Sequence, residues 1–145
     1  MASIHRDITV DASPELLWSA VRDVGAPHER LAPGVVVDGY RDGDHRVVTF
    51  AGGAVVRELI VDIDDDRRRL AYAVVESALG VTHHHAAMQV VADGGAVGDR
   101  SRLVWDTDVV PDHLAVPIAD LMDQCAAAVQ RTLAAQASAT TTAAS

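Results

Sequence analysis

Hydrophobic and polar positions along this chain of 145 residues follow two periods, and the change from one to the other outlines the fold. Ser3 to Val10 alternates as a strand should, and Asp11-Ala12-Ser13-Pro14 ends it. Ser13 then reads as an N-cap with Pro14 at the first helical position, and Leu16, Leu17, Trp18, Val21 and Val24 give a buried face as far as Gly25-Ala26-Pro27. A second short helix or turn is expected over His28 to Pro33. Period-two segments follow at about Val35–Arg41, Arg46–Ala51, Ala54–Ile63, Leu70–Ser77, His83–Ala92 and Arg102–Val110. Their separators are turn-forming or short and polar, as in a sequential antiparallel meander.

The last segment changes period. From about His113 to Ala137, Leu114, Ile118, Leu121, Met122, Cys125, Val129 and Leu133 recur at three- and four-residue steps and form one helical stripe. Either Asp112 caps this helix and Pro117 disturbs its first turns, or the regular helix begins at Pro117. One stripe needs one partner surface, and the sheet is the surface left to it. The expected class is therefore α+β: a curved antiparallel sheet of about seven strands wrapped on a long C-terminal helix, with two short helices after the first strand. Residues 1–137 form one domain, and 138–145, without an apolar period, are expected as a disordered tail.

Composition sharpens this picture in one respect. Almost half the residues are hydrophobic, yet the aromatics number only two Trp, two Tyr and one Phe. A core of Val, Ala and Leu has little bulk per position, which allows an unfilled interior between sheet and helix or a tighter sheet that removes it. A cavity on the scale of about 300–1,000 Å³ usual for ligand pockets would favour binding or catalysis, and a filled one an interaction module. The basic residues are all Arg, a composition read as GC-rich bacterial coding. A formal net charge of −9 argues against nucleic acid or an anionic membrane as partner. No hydrophobic signal core opens the chain and no run is long enough to span a bilayer, so a cytoplasmic location is expected. A lone Cys125 fits a reducing compartment.

Strand parity sorts the candidate chemistry. On the last strand Leu103, Trp105, Thr107 and Val109 form the interior face, leaving Asp106 and Asp108 outside. On the strand before it, His84 groups with Ala86, Met88 and Val90, whereas His83 and His85 fall on the outer face. Zinc would need two of these histidines and a further ligand such as Asp106 or Glu58; two outer histidines alone do not make a site, and no metal or other cofactor is expected. An inward His84 serves as a ligand anchor, a general acid or base, or a satisfied core histidine. Tyr72 shares a face with Leu70 and Val74 and reaches the same interior. Glu58 lies in a strand of conflicting phase, with Val55, Leu59, Val61 and Ile63 on one face and Val56, Glu58 and Ile60 on the other. A bulge after Arg57 would reconcile them. Glu58 is then either inward, where it is costly unless paired, or exposed beside an Arg of a neighbouring strand. Met88, Met122 and Cys125 are soft residues that suit either a ligand or a filled core.

The strand, the entry Asp11-Ala12-Ser13-Pro14-Glu15-Leu16-Leu17-Trp18, the meander with Arg69-Leu70-Ala71-Tyr72, the strand Ser101-Arg102-Leu103-Val104-Trp105 and the terminal helix together resemble the START-like, or SRPBCC, superfamily, in its polyketide cyclase/dehydrase-like branch. The resemblance runs from about Ile4 to Leu133 and implies the helix-grip fold. It does not select an activity, since that superfamily includes carriers, cyclases and chaperone-associated modules. Where many relatives carry a Trp soon after the first helix, this chain has Gly25-Ala26-Pro27-His28-Glu29-Arg30.

Three functions follow as expectations. The first is binding of a small hydrophobic or aromatic molecule by His84, Tyr72, Trp105, Glu58, Met88, Met122 and Cys125. The second is a cyclase-, aromatase- or dehydratase-type enzyme in which His84 or Glu58 moves protons. The third is a ligand-free interaction module, with a homodimer contact through the last strands and outer histidines as one form of it.

Overall fold

A computed structural model describes residues 1–93 and 99–144. Among these, seven strands form one antiparallel sheet: β1 (Ala2–Val10), β2 (Val36–Asp42), β3 (His45–Phe50), β4 (Val55–Asp64), β5 (Arg69–Glu76), β6 (His83–Ala92) and β7 (Ser101–Val110). Their order across the sheet is β1-β7-β6-β5-β4-β3-β2. The meander is thus sequential from β2 to β7, and β1 closes onto β7 over its whole length, from Ala2 opposite Val109 to Val10 opposite Ser101. The connection expected over Asp93–Asp99 lies largely outside the described residues.

Between β1 and β2 the chain forms α1 (Pro14–Val21) and α2 (Pro27–Arg30). Ser13 caps α1 as its sequence position predicts, its hydroxyl accepting the Leu16 N–H at 3.1 Å. The helix is shorter than the apolar spacing suggests, since it ends at Val21 while Val24 packs into the core from the following turn. The Asp64–Asp66 run works as a strand end: Asp64 accepts the Arg67 N–H, and Asp65 accepts from Trp18 Nε1 at 2.9 Å and from Arg22 Nε at 2.8 Å. That ties α1 to the β4–β5 turn. At the far edge, α2 packs so closely on β2 that a Cβ on Gly39 would lie 3.1 Å from both His28 Nδ1 and Pro27 Cδ.

A short 3₁₀ turn (Asp112–Leu114) leads into α3 (Ala115–Ala144). Neither expectation for Pro117 holds as stated. It lies within the first turn of α3, where a backbone N–H has no intrahelical partner, so its missing N–H costs nothing and the helix runs through undisturbed. Nor is the terminal segment 138–144 a tail in this structure. It continues α3 to Ala144, because adding residues to a helix already formed is far easier than starting one. The stripe is seated as expected, with Leu114, Ile118, Met122, Cys125, Val129 and Leu133 buried. Arg6 of β1 holds Asp123 through its Nε at 2.7 Å, and Gln130 donates to the Thr9 carbonyl at 2.9 Å, which fixes the angle at which α3 crosses the sheet. None of the described helices is long and apolar enough to cross a membrane.

The conflicting phase of β4 has two sources. The register between β4 and β5 does break between Arg57 and Glu58, but the extra residue is on β5: Arg57 faces Glu76 and Glu58 faces Val74, leaving Val75 unpaired. The change of face along β4 comes later, where Ile60 faces Tyr72, Asp62 faces Ala71, and Val61 is the inserted residue. Val61 and Val75 both stand about half exposed, at 51% and 49%. Val56, Glu58 and Ile60 therefore face inward before the second bulge and Ile63 after it.

Candidate functional site

Glu58 is the first residue to place, because its orientation was open. It is buried, which overturns the exposed alternative, and it does sit beside an Arg of the neighbouring strand. Arg46 on β3 is directly opposite it, with Nε 2.6 Å from Oε1. Arg46 is itself buried, at 5% exposure, and its guanidinium lies over the Tyr72 ring, 4.9 Å from the centroid. The Tyr72 hydroxyl in turn accepts a hydrogen bond from Trp105 Nε1 at 3.2 Å. Four side chains from β3, β4, β5 and β7 thus make one polar chain through an apolar interior. An ion pair removed from water survives only when each charge is answered, and the cross-strand pairing answers both.

Around this chain the interior is open in two lobes. The larger, about 80 Å³, lies between β4–β7 and the first half of α3, and is bordered by Glu58, Tyr72, His84, Trp105, Met122 and Cys125, with Phe50, Val56, Thr107, Ile118 and Leu121. Its least buried lining residue, Leu79 of the β5–β6 loop, is half exposed and marks the mouth. The smaller lobe, about 60 Å³, lies towards α2 and is lined by Arg46, Met88, Leu31, Val36 and Val129. Phe50, Glu58, Tyr72, Trp105 and Cys125 border both lobes and form the partition between them. The space is neither filled nor as large as the several hundred Å³ that would favour binding or catalysis by volume alone. Three of the five aromatics, Trp18, Tyr72 and Trp105, are buried and Phe50 packs against the same core, so the scarce bulk is concentrated where it fills the interior.

Six of the seven expected site residues meet at the larger lobe, and Met88 lines the smaller one instead. His84 is a lobe residue, as its parity implies. Burial, helped by His83 and His85 beside it, pushes its imidazole down to about 4, so it is neutral at ordinary pH. Burial, with the Glu58 carboxylate nearby, pushes the Cys125 thiol up to about 12 and leaves it a poor nucleophile. The Tyr72 phenol is likewise pushed well above its ordinary value, chiefly by burial and also by Glu58. His85, Asp106 and Asp108 border a depression on the opposite, outer face of the sheet. Asp106 there pairs with His5, and Glu58 is on the far side, so it cannot complete a zinc site with the outer histidines. Among the described residues no group of three or more His, Cys, Asp or Glu is placed to hold a metal ion.

Arg46 is the site residue that sequence reasoning missed. The signal was present: Arg46, Val48 and Phe50 alternate with His45, Val47 and Thr49, and the first set is the inward one.

Comparison with known structures places the same architecture in several proteins of low sequence similarity. XoxI from Bacillus cereus is 18% identical with a TM-score of 0.79, over 92% of this chain and 96% of its own. A START superfamily protein from Mycobacterium smegmatis is 14% identical with a TM-score of 0.67, over 94% and 97%. Norcoclaurine synthase from Thalictrum flavum, in complex with dopamine and hydroxybenzaldehyde, is 22% identical with a TM-score of 0.58, over 86% and 84%. At these identities the likeness concerns the fold alone. No curated protein matches the chain. The sequence pattern itself is more telling than the neighbours, because residues 1–144 match a single family model from end to end, and the chain belongs to the polyketide cyclase / dehydrase and lipid transport family.

Proposed function

We propose that the protein binds a small apolar or aromatic molecule in the interior between the sheet and α3. The observation that carries this reading is the convergence of Glu58, Tyr72, Trp105 and His84 on a lobe otherwise walled by aliphatic side chains, Cys125 and Met122. Few polar groups on an apolar surface are what orients a small ligand. At about 80 Å³ the larger lobe suits a ligand of single-ring size, and rotation of Phe50 or Tyr72 in the partition would add the second lobe for a longer one. A similar fold that holds dopamine and hydroxybenzaldehyde lends support to an aromatic occupant. The reducing cytoplasm, where a buried free thiol such as Cys125 persists, is the compartment we assign.

The test is an NMR titration with toluene, short fatty acids and isoprenoids, on the natural sequence and on Met122→Trp, whose indole would occupy the larger lobe. Saturable shifts at Tyr72, His84 and Trp105 that vanish in Met122→Trp, with cooperative unfolding retained, are expected. Absence of any saturable shift, or shifts indifferent to the indole, would reject the reading.

A cyclase- or dehydratase-type activity is a second reading, favoured by the neutral imidazole of His84 on the same lobe as the Glu58 carboxylate. In it His84 accepts a proton beside a bound carbonyl. Turnover of a poly-carbonyl chain that drops about 100-fold or more in His84→Ala would support it, and turnover unchanged in that variant would remove it.

A further inference from the structure

The interior polar groups differ in what they have left to offer. Arg46 gives its Nε to Glu58 and its face to Tyr72, so its charge is already matched. Glu58 uses Oε1 for Arg46, and no side chain among the described residues donates to its second oxygen. That oxygen is not sealed away either, because among the described residues the fully buried side-chain nitrogen or oxygen without a partner is His28 Nδ1, at the α2–β2 contact. Glu58 borders both lobes, so its second oxygen is an acceptor open to the space they enclose. Tyr72 also borders both, and its hydroxyl accepts from Trp105 while, among the described residues, no other side chain engages its own proton. The remaining polar side chain on the larger lobe that could carry charge, His84, is neutral there.

We propose, building on the ligand-binding reading above, that Glu58 makes the interior selective for a neutral hydroxyl-bearing molecule, whose O–H it accepts, over carboxylates and ammonium ions. An O–H can donate to the open carboxylate oxygen and accept from Tyr72 at once. A carboxylate in the larger lobe would meet the negative oxygen there, while Arg46, paired with Glu58, borders only the smaller lobe. An ammonium ion would leave three charges in a space that now holds a matched two, and an unmatched buried charge is the costlier state. The structure thus assigns specificity by charge to Glu58 and Arg46 together, within a lobe whose walls select only for size and apolarity.

Four probes of one ring each separate these terms: toluene, p-cresol, benzoate and benzylamine, titrated at pH 7 with dissociation constants read from NMR shifts. p-Cresol is expected to bind about tenfold more tightly than toluene, as a hydrogen bond to a charged group allows, with benzoate and benzylamine weaker than toluene. In Glu58→Gln the Arg46 cation loses its counter-charge, so the advantage of p-cresol should shrink and benzoate should gain about tenfold. Benzoate or benzylamine binding the natural protein as well as p-cresol does would overturn the proposal, and that comparison needs no variant to fold. If toluene binds and the hydroxyl adds nothing, selectivity alone is refuted. If none of the four binds, the ligand-binding reading falls with it.

Discussion

Arg46 and Glu58 stand opposite each other on β3 and β4, joined by a 2.6 Å hydrogen bond, and are the buried charged side chains among the described residues. Removing one partner leaves a charge with no answer, whereas removing both leaves only a change of packing. Arg46→Met should therefore destabilise the fold by about 3–5 kcal/mol, and Arg46→Met with Glu58→Leu should recover most of that loss. Urea unfolding of the two single variants and the double variant checks the sign of the coupling, and a double variant as unstable as the worse single one would contradict it.

His84 links stability to pH. Its folded-state value is lowered to about 4, mainly by burial, while an unfolded histidine titrates near about 6.5. The unfolded chain therefore binds the extra proton between these values. The contribution is fully present above about 6.5 and is lost as the pH falls towards about 4. Unfolding free energies at pH 7, 5 and 4 should fall more steeply for the natural sequence than for His84→Gln. Titration of the imidazole Cε1 proton gives the folded value directly.

Tyr72 works in the alkaline direction. Burial holds its phenol protonated above the ordinary range, so its stabilising share is present below about 10 and declines as the pH rises beyond that. Tyr72→Phe removes this alkaline slope. It also leaves Trp105 Nε1 without its acceptor, which should cost about 1–3 kcal/mol at neutral pH. A blue or red shift of Trp105 fluorescence without any loss of stability would show that the 3.2 Å bond carries less than this.

Cys125 should be inert in the folded state. With its thiol pushed up to about 12 and its side chain buried on α3, it offers almost no thiolate at pH 8. A disulfide-exchange reagent should label it only at the rate of unfolding, and rapid labelling under native conditions would place it at an open mouth.

The fold was legible because two signals are local. Alternation marks strands whichever partner they find, and the stripe from Leu114 to Leu133 must be covered by something. The inward faces of β6 and β7 followed from parity alone, and so did His84 and Trp105 at the lobe. What could not be read were quantities that depend on contact between distant strands. The Arg46–Glu58 pair depends on the β3–β4 register, and the placing of the bulges on β5 at Val75 and on β4 at Val61 depends on hydrogen-bond pairing that no single strand encodes. The size of the cavity was illegible for a related reason. Counting aromatics measures bulk, whereas Trp105, Tyr72 and Phe50 all stand in the partition between the two lobes.

Val61 contributes almost nothing to the core, yet the outer half of β4 owes its orientation to it. Were Val61 paired in register instead of set aside in the bulge, Asp62 and Asp64 would come around to the aliphatic side and Ile63 would turn out to water, while Val56, Glu58 and Ile60 kept their places. The half-exposed valine is a spacer in the literal sense, and the strand's two halves can be tuned independently on either side of it.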